Sequence, residues 1–174
     1  MKKKILIGIV IILVIIGGIE IAVTLQDGSK TNPSKSQTTE TAKEGYIFTD
    51  GEKKAILGEE FNKEAFGKEE SYSEIASCAF EGLDRTYAYL NYEITTFPDG
   101  EKERIYTIYF LNENVQTREG VKITDTLEKM KEVYGNETGK QGNQYVYTKG
   151  KTNLEFIVEE DVITSIQYTY TAEN

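Results

Sequence analysis

Between Ile5 and Leu25 the chain carries a single charged side chain, Glu20, among aliphatic residues, glycines and one threonine. A helix over this run rises about 1.5 Å per residue and so reaches about 30 Å, the thickness of a bilayer's hydrocarbon core. Glu20 falls about one turn from the far end, within reach of the headgroups. Lys2, Lys3 and Lys4 precede the run, and a segment of mixed charge follows it. The positive-inside bias therefore puts the N-terminus in the cytoplasm and the rest of the chain outside. A cleaved secretory signal is the competing reading, and it needs small residues at its exit. Ile19-Glu20-Ile21-Ala22-Val23-Thr24 offers Ala22 alone, and lipoprotein processing would need a cysteine there, whereas the one cysteine is Cys78. The expectation is an uncleaved anchor over residues 1–25 that engages the cytoplasmic membrane through residues 5–25.

Residues 26–43 hold Gly, Pro, Ser, Thr and Lys without an aromatic residue or apolar periodicity. Such a segment buries too little surface to offset the entropy of ordering it, so it reads as a flexible stalk. All twelve tyrosines and all seven phenylalanines fall in residues 44–174, which gives one extracytoplasmic domain of ordinary size.

Of 29 acidic and 20 basic side chains, three and six respectively lie in residues 1–43, leaving the domain 26 and 14 and a charge of −12. That field repels a phosphate backbone and excludes nucleic acid as a partner. The chain has no histidine, so no Ser–His or Cys–His relay can be built. No carboxylate pair stands out by spacing for acid–base work. The expectation is a protein that is not an enzyme, with no cofactor and no metal. Gly135–Gln141 has three residues between its glycines and Gln141 where a phosphate loop needs Ser or Thr, so it reads as a surface turn. Glu159-Glu160-Asp161 lacks the ligand spacing and glycine of a calcium loop and reads as a hairpin turn. Cys78, among small and apolar neighbours, is expected to be a buried small hydrophobe, with a reactive or intermolecular thiol as the alternative.

The domain contains a weak internal duplication. Tyr87-Ala88-Tyr89 is followed eighteen residues later by Ile105–Phe110, and Tyr145-Val146-Tyr147 eighteen residues later by Ile163–Tyr168. Asp125 with Glu128 forms a capping-box pattern, Leu127, Met130 and Tyr134 recur at helical spacing, and Gly135 supplies a stop. Phe61, Ala65 and Phe66 before Gly67 suggest a shorter first helix. Pro98-Asp99-Gly100-Glu101 reads as a turn between strands Tyr92–Phe97 and Arg104–Leu111, and Glu159-Glu160-Asp161 as one between Leu154–Val158 and Val162–Tyr170. The expected class is therefore α+β: two helix-plus-antiparallel-meander repeats, about 46–112 and 113–174, packed as one domain.

Gly120–Thr126, the helix ending Tyr134-Gly135, and the strands Thr152–Val158 and Val162–Tyr168 resemble the repeat of the beta-lactamase-inhibitory-protein-like fold. They are similar also to the small outer-membrane assembly lipoproteins. Ser77-Cys78-Ala79-Phe80-Glu81-Gly82, Tyr87-Ala88-Tyr89 and Glu93-Ile94-Thr95-Thr96 extend the resemblance to surface proteins of clostridia-like Gram-positive bacteria, over most of 46–170. The resemblance implies binding of another protein across a sheet face. Lipid attachment does not carry over, because the lipobox cysteine is missing.

The candidate binding residues are Tyr87, Tyr89, Tyr145 and Tyr147. Each pair points to one face of its strand, and four rings on neighbouring strands would form an aromatic contact patch. The same alternation also fits rings packed beneath the helices with hydroxyls at the rim. The functional expectation is a membrane-anchored, non-enzymatic module that meets a surface protein. A small-ligand or cation sensor of the envelope is the alternative, followed by a wall-active hydrolase.

Overall fold

A computed structural model describes residues 45–78 and 80–171. The anchor at 5–25 and the stalk at 26–43 lie outside these residues, and among the described residues no helix is long and apolar enough to cross a membrane.

The chain enters as a hairpin, β1 (Ile47–Asp50) and β2 (Lys53–Ile56), which turns at Gly51 with φ +61°. Next come α1 (Lys63–Phe66) and the strands β3 (Ser71–Ala76), β4 (Leu83–Ala88), β5 (Tyr92–Asp99) and β6 (Lys102–Phe110). A connecting segment leads to α2 (Leu127–Tyr134). It is followed by β7 (Gly139–Gln141), β8 (Gln144–Lys149), β9 (Thr152–Glu159) and β10 (Val162–Tyr170). Strands β3 to β10 form one antiparallel sheet in the order β3-β4-β5-β6-β10-β9-β8-β7. Its midline is the β6–β10 seam, where Tyr109, Ile108 and Thr107 face Gln167, Tyr168 and Thr169.

This architecture corrects the expected α+β class. The described chain is mostly β, with helices of only four and eight residues, and no pair of helix-plus-meander repeats describes it. The physical reasons are local. Asn62 caps α1 and Gly67 ends it one turn later, so the first helix has no room to grow. Residues 47–56, expected to belong to the first repeat, make a separate two-stranded sheet. Pairing of β6 with β10 merges the remaining strands into a single sheet. The cap of α2 also differs from expectation. Thr126 accepts from Lys129 N at 3.2 Å, while Asp125 accepts from Lys122 N at 2.9 Å and from Lys129 Nζ at 2.7 Å.

One face of the sheet holds the core. Tyr92, Ile94, Ile108, Phe110, Leu154, Phe156, Ile166 and Tyr168 come from its central strands and are almost wholly buried. Phe48 of β1 spans the seam: its ring lies 4.7 Å from Tyr92, 5.7 Å from Phe110 and 6.2 Å from Tyr168. Phe66 of α1 rests against Tyr89, and Tyr134 of α2 against Tyr147 and Phe156. The hairpin and both helices thus cover the same face. Cys78, expected to be buried, is exposed on the loop between β3 and β4.

Candidate functional site

The four candidate tyrosines lie on the packed face. Tyr87, Tyr89, Tyr145 and Tyr147 are 5, 6, 6 and 3% exposed. They form two groups and not one patch, because β5, β6, β10 and β9 separate β4 from β8. Tyr87 sits beneath Phe61 at 4.9 Å and beneath the Lys63 ammonium at 5.0 Å. Its hydroxyl donates to Glu103 Oε2 at 2.9 Å. Tyr147 donates to the Gly135 carbonyl at 3.2 Å, and the Lys140 ammonium lies 4.3 Å above the Tyr145 ring. Burial pushes the hydroxyls of Tyr89 and Tyr147 up to about 12. These rings are core side chains whose polar tips reach the rim in part.

Around Tyr87 the packed face carries a polar network. Arg85 donates through Nε to Glu74 at 3.0 Å and through Nη1 to Glu103 at 2.8 Å. Thr96 donates to Glu103 at 2.9 Å, and the Tyr72 hydroxyl bonds Glu74. Every charge here has an opposite partner, which fits a device that fixes β3 to β6. In a cleft lined in part by Gly58, Glu60, Lys102, Arg104 and Tyr170, Lys102 pairs with Glu60 and Arg104 with Asp99.

The opposite face differs in chemistry. Cross-strand register sets Ser73 against Thr86, Thr86 against Thr95, Thr95 against Thr107 and Thr107 against Thr169. Thr169 then faces Asn153, and Asn153 faces Thr148. Seven adjacent strands thus align one small hydroxyl or amide side chain each. At about 4.8 Å per strand the row is roughly 29 Å long. Thr86 and Thr95 share a hydroxyl–hydroxyl bond of 3.0 Å, and Thr148 donates to Asn153 at 2.9 Å. None of the seven is buried.

A parallel row runs Ala88, Glu93, Tyr109, Gln167, Glu155, Val146, Gly139. Neither row contains a lysine or arginine, although the chain has 20. Their two carboxylates are both held above the ordinary range by burial. For Glu155 that effect outweighs hydrogen bonds from Thr169 and Gln144. Asp84, two residues before Thr86 on the same face, is raised for the same reason. Ring contacts from the hairpin and both helices go to the packed face. On this one, Phe80 of the β3–β4 loop stacks on Phe97 at 4.0 Å, at one corner.

This face was missed in the sequence because its signal is distributed: one small hydroxyl or amide residue per strand across 97 residues of chain becomes a row only once the register is known. Fold and face together define an antiparallel sheet protein with one packed face and one that, among the described residues, is left open except at one corner. Compared with protein-family models, curated proteins and solved structures, the chain matches none.

Proposed function

We propose that the chain is a non-enzymatic extracytoplasmic interaction module, tethered to the cytoplasmic membrane through residues 5–25, which meets a surface protein across the open face of its sheet. The observation that carries this reading is the seven-strand row of hydroxyl and amide side chains. This face, whose two rows hold carboxylates at Glu93 and Glu155 but no lysine or arginine, contrasts with a domain that carries 14 basic side chains. It offers donors and acceptors at a regular spacing without the cost of stripping water from ammonium or guanidinium groups.

The test uses the full chain captured from envelope extract. Thr107→Arg with Thr169→Arg puts two long cations at the centre of the face, while Glu60→Ala with Lys102→Ala alters a distant surface pair. Loss of a partner with the first double variant and its retention with the second is the expected outcome. An identical partner set for both would end the proposal. Alanine at Tyr89 or Tyr147 is unsuitable for this purpose, because it would open the core.

A further inference from the structure

The sheet has two edges of unequal kind. β7 is three residues long, which is itself a protection against stray pairing. β3 is six residues long, and all six are exposed, Tyr72 at 47% and Ile75 at 59%. The usual guards of an edge are lysine, proline or a bulge. Ser71-Tyr72-Ser73-Glu74-Ile75-Ala76 has neither lysine nor proline, and its one charge, Glu74, is drawn back onto Arg85 and Tyr72 of its own sheet.

The direction of the free backbone groups follows from the ladder. Ser77 N donates to Gly82 O at 3.0 Å, and the β3–β4 register continues from that pair. Alternate residues bond the neighbouring strand, so Ser71, Ser73 and Ile75 bond β4. Tyr72, Glu74 and Ala76 point their N–H and C=O groups outward. An antiparallel strand in the complementary phase would satisfy all of them.

We propose that this strand is a second copy of β3, so that two chains join edge to edge about a two-fold axis through Ser73. Facing residues must share a sheet face, so the axis must pass through a residue and not between two. An axis at Glu74 opposes two carboxylates, and one at Tyr72 sets Glu70 against Glu74. An axis at Ile75 pairs only the last three residues of the strand. The axis at Ser73 pairs Ser71 to Ile75 and opposes no like charges. It sets Tyr72 opposite the second copy's Glu74, repeating a contact that Tyr72 and Glu74 already make within one chain. It also sets Ser71 opposite the second copy's Ile75. Ser73 is the terminal member of the hydroxyl row, so the two rows meet at the axis and run on across both sheets. This inference goes beyond the proposed function and holds whatever the open face binds.

An edge of this length buries far less than the roughly 1,600 Å² of a standard stable interface. Its strength therefore depends on effective concentration, and the full chain in its membrane is the right sample. In a Cys78→Ser background, which removes the one native thiol, Ser73→Cys is compared with Ile75→Cys under mild oxidation. Facing residues of a non-hydrogen-bonded pair lie about 4.5 Å apart at Cα, within disulfide reach. Two copies of residue 75 are offset by four positions, about 13 Å. A covalent dimer from Ser73→Cys, at least tenfold more abundant than from Ile75→Cys, is expected. Equal yields from both, or no dimer from Ser73→Cys, would overturn the pairing.

Discussion

At the scale of single residues, the buried tyrosines separate into those whose hydroxyls are used and those whose hydroxyls are not. Tyr147 donates to Gly135 O, whereas Tyr89 Oη is buried without a partner among the described residues. An unmade bond gives nothing back for the water it displaces. Tyr147→Phe is expected to lose about 1 kcal/mol, and Tyr89→Phe to be neutral or slightly stabilising, in urea titrations. Equal losses would mean that Tyr89 has a partner. Glu155 is 5% exposed, and burial raises its carboxyl above the unfolded value. The folded state then binds its proton more tightly than the unfolded state does. Its contribution is favourable at low pH and is lost as pH rises from the ordinary carboxylate value through the raised one. Glu155→Gln should therefore be more stable than the parent at pH 7 and converge with it near pH 4, read as midpoints against pH. A gap that widens toward acid would refute the assignment. The sequence spacing showed that Tyr87 and Tyr89, or Tyr145 and Tyr147, share a face. Which face is packed depends on where the hairpin and helices land, and period-two alternation carries no information about that.

At the scale of elements, turns were the most legible feature. Asp99-Gly100 was readable as a hairpin, and Gly100 takes φ +64°. The second hairpin needs positive φ at both of its central residues and has no glycine to supply it: Glu160 and Asp161 adopt φ +48° and +64°, a region that costs residues bearing a Cβ. Glu160→Asn with Asp161→Gly leaves the backbone unchanged, including the Asp161 carbonyl that accepts from Leu127 N at 2.9 Å. The pair should add roughly 1 kcal/mol of stability, seen as a higher thermal midpoint. A lower midpoint would show that the carboxylates matter more than the strain. The hairpin β1–β2 carried a comparable signal, Asp50-Gly51 between two short runs, and it was overlooked because no longer periodicity flanks it. Helix α2 was legible in extent but not in its cap, since Asp125 and Thr126 are both good caps and only the geometry selects Thr126.

At the scale of the whole molecule, the seam was the illegible part. Pairing of β6 with β10 joins residues about 60 apart in sequence, and no local pattern specifies it. Phe48 then closes the seam from above, and nothing in Ile47-Phe48-Thr49 announces that role. The open face follows from the same long-range pairing, which is why composition and spacing pointed to the tyrosines and not to the threonines. The topology proposed for the chain can be tested through a residue that has no part in the fold's interior. Cys78 is the one cysteine of the chain, and it is exposed on the β3–β4 loop. A maleimide too polar to cross a membrane will reach it in intact cells only if the domain stands outside. Labelling before lysis, at a level close to that after lysis, is the expected result, and Cys78→Ser supplies the blank. Labelling that appears only after lysis would put the domain in the cytoplasm and would remove the basis for a surface partner. The edge pairing of β3 would still stand, because it depends on the sheet and not on the side of the membrane where the sheet is found.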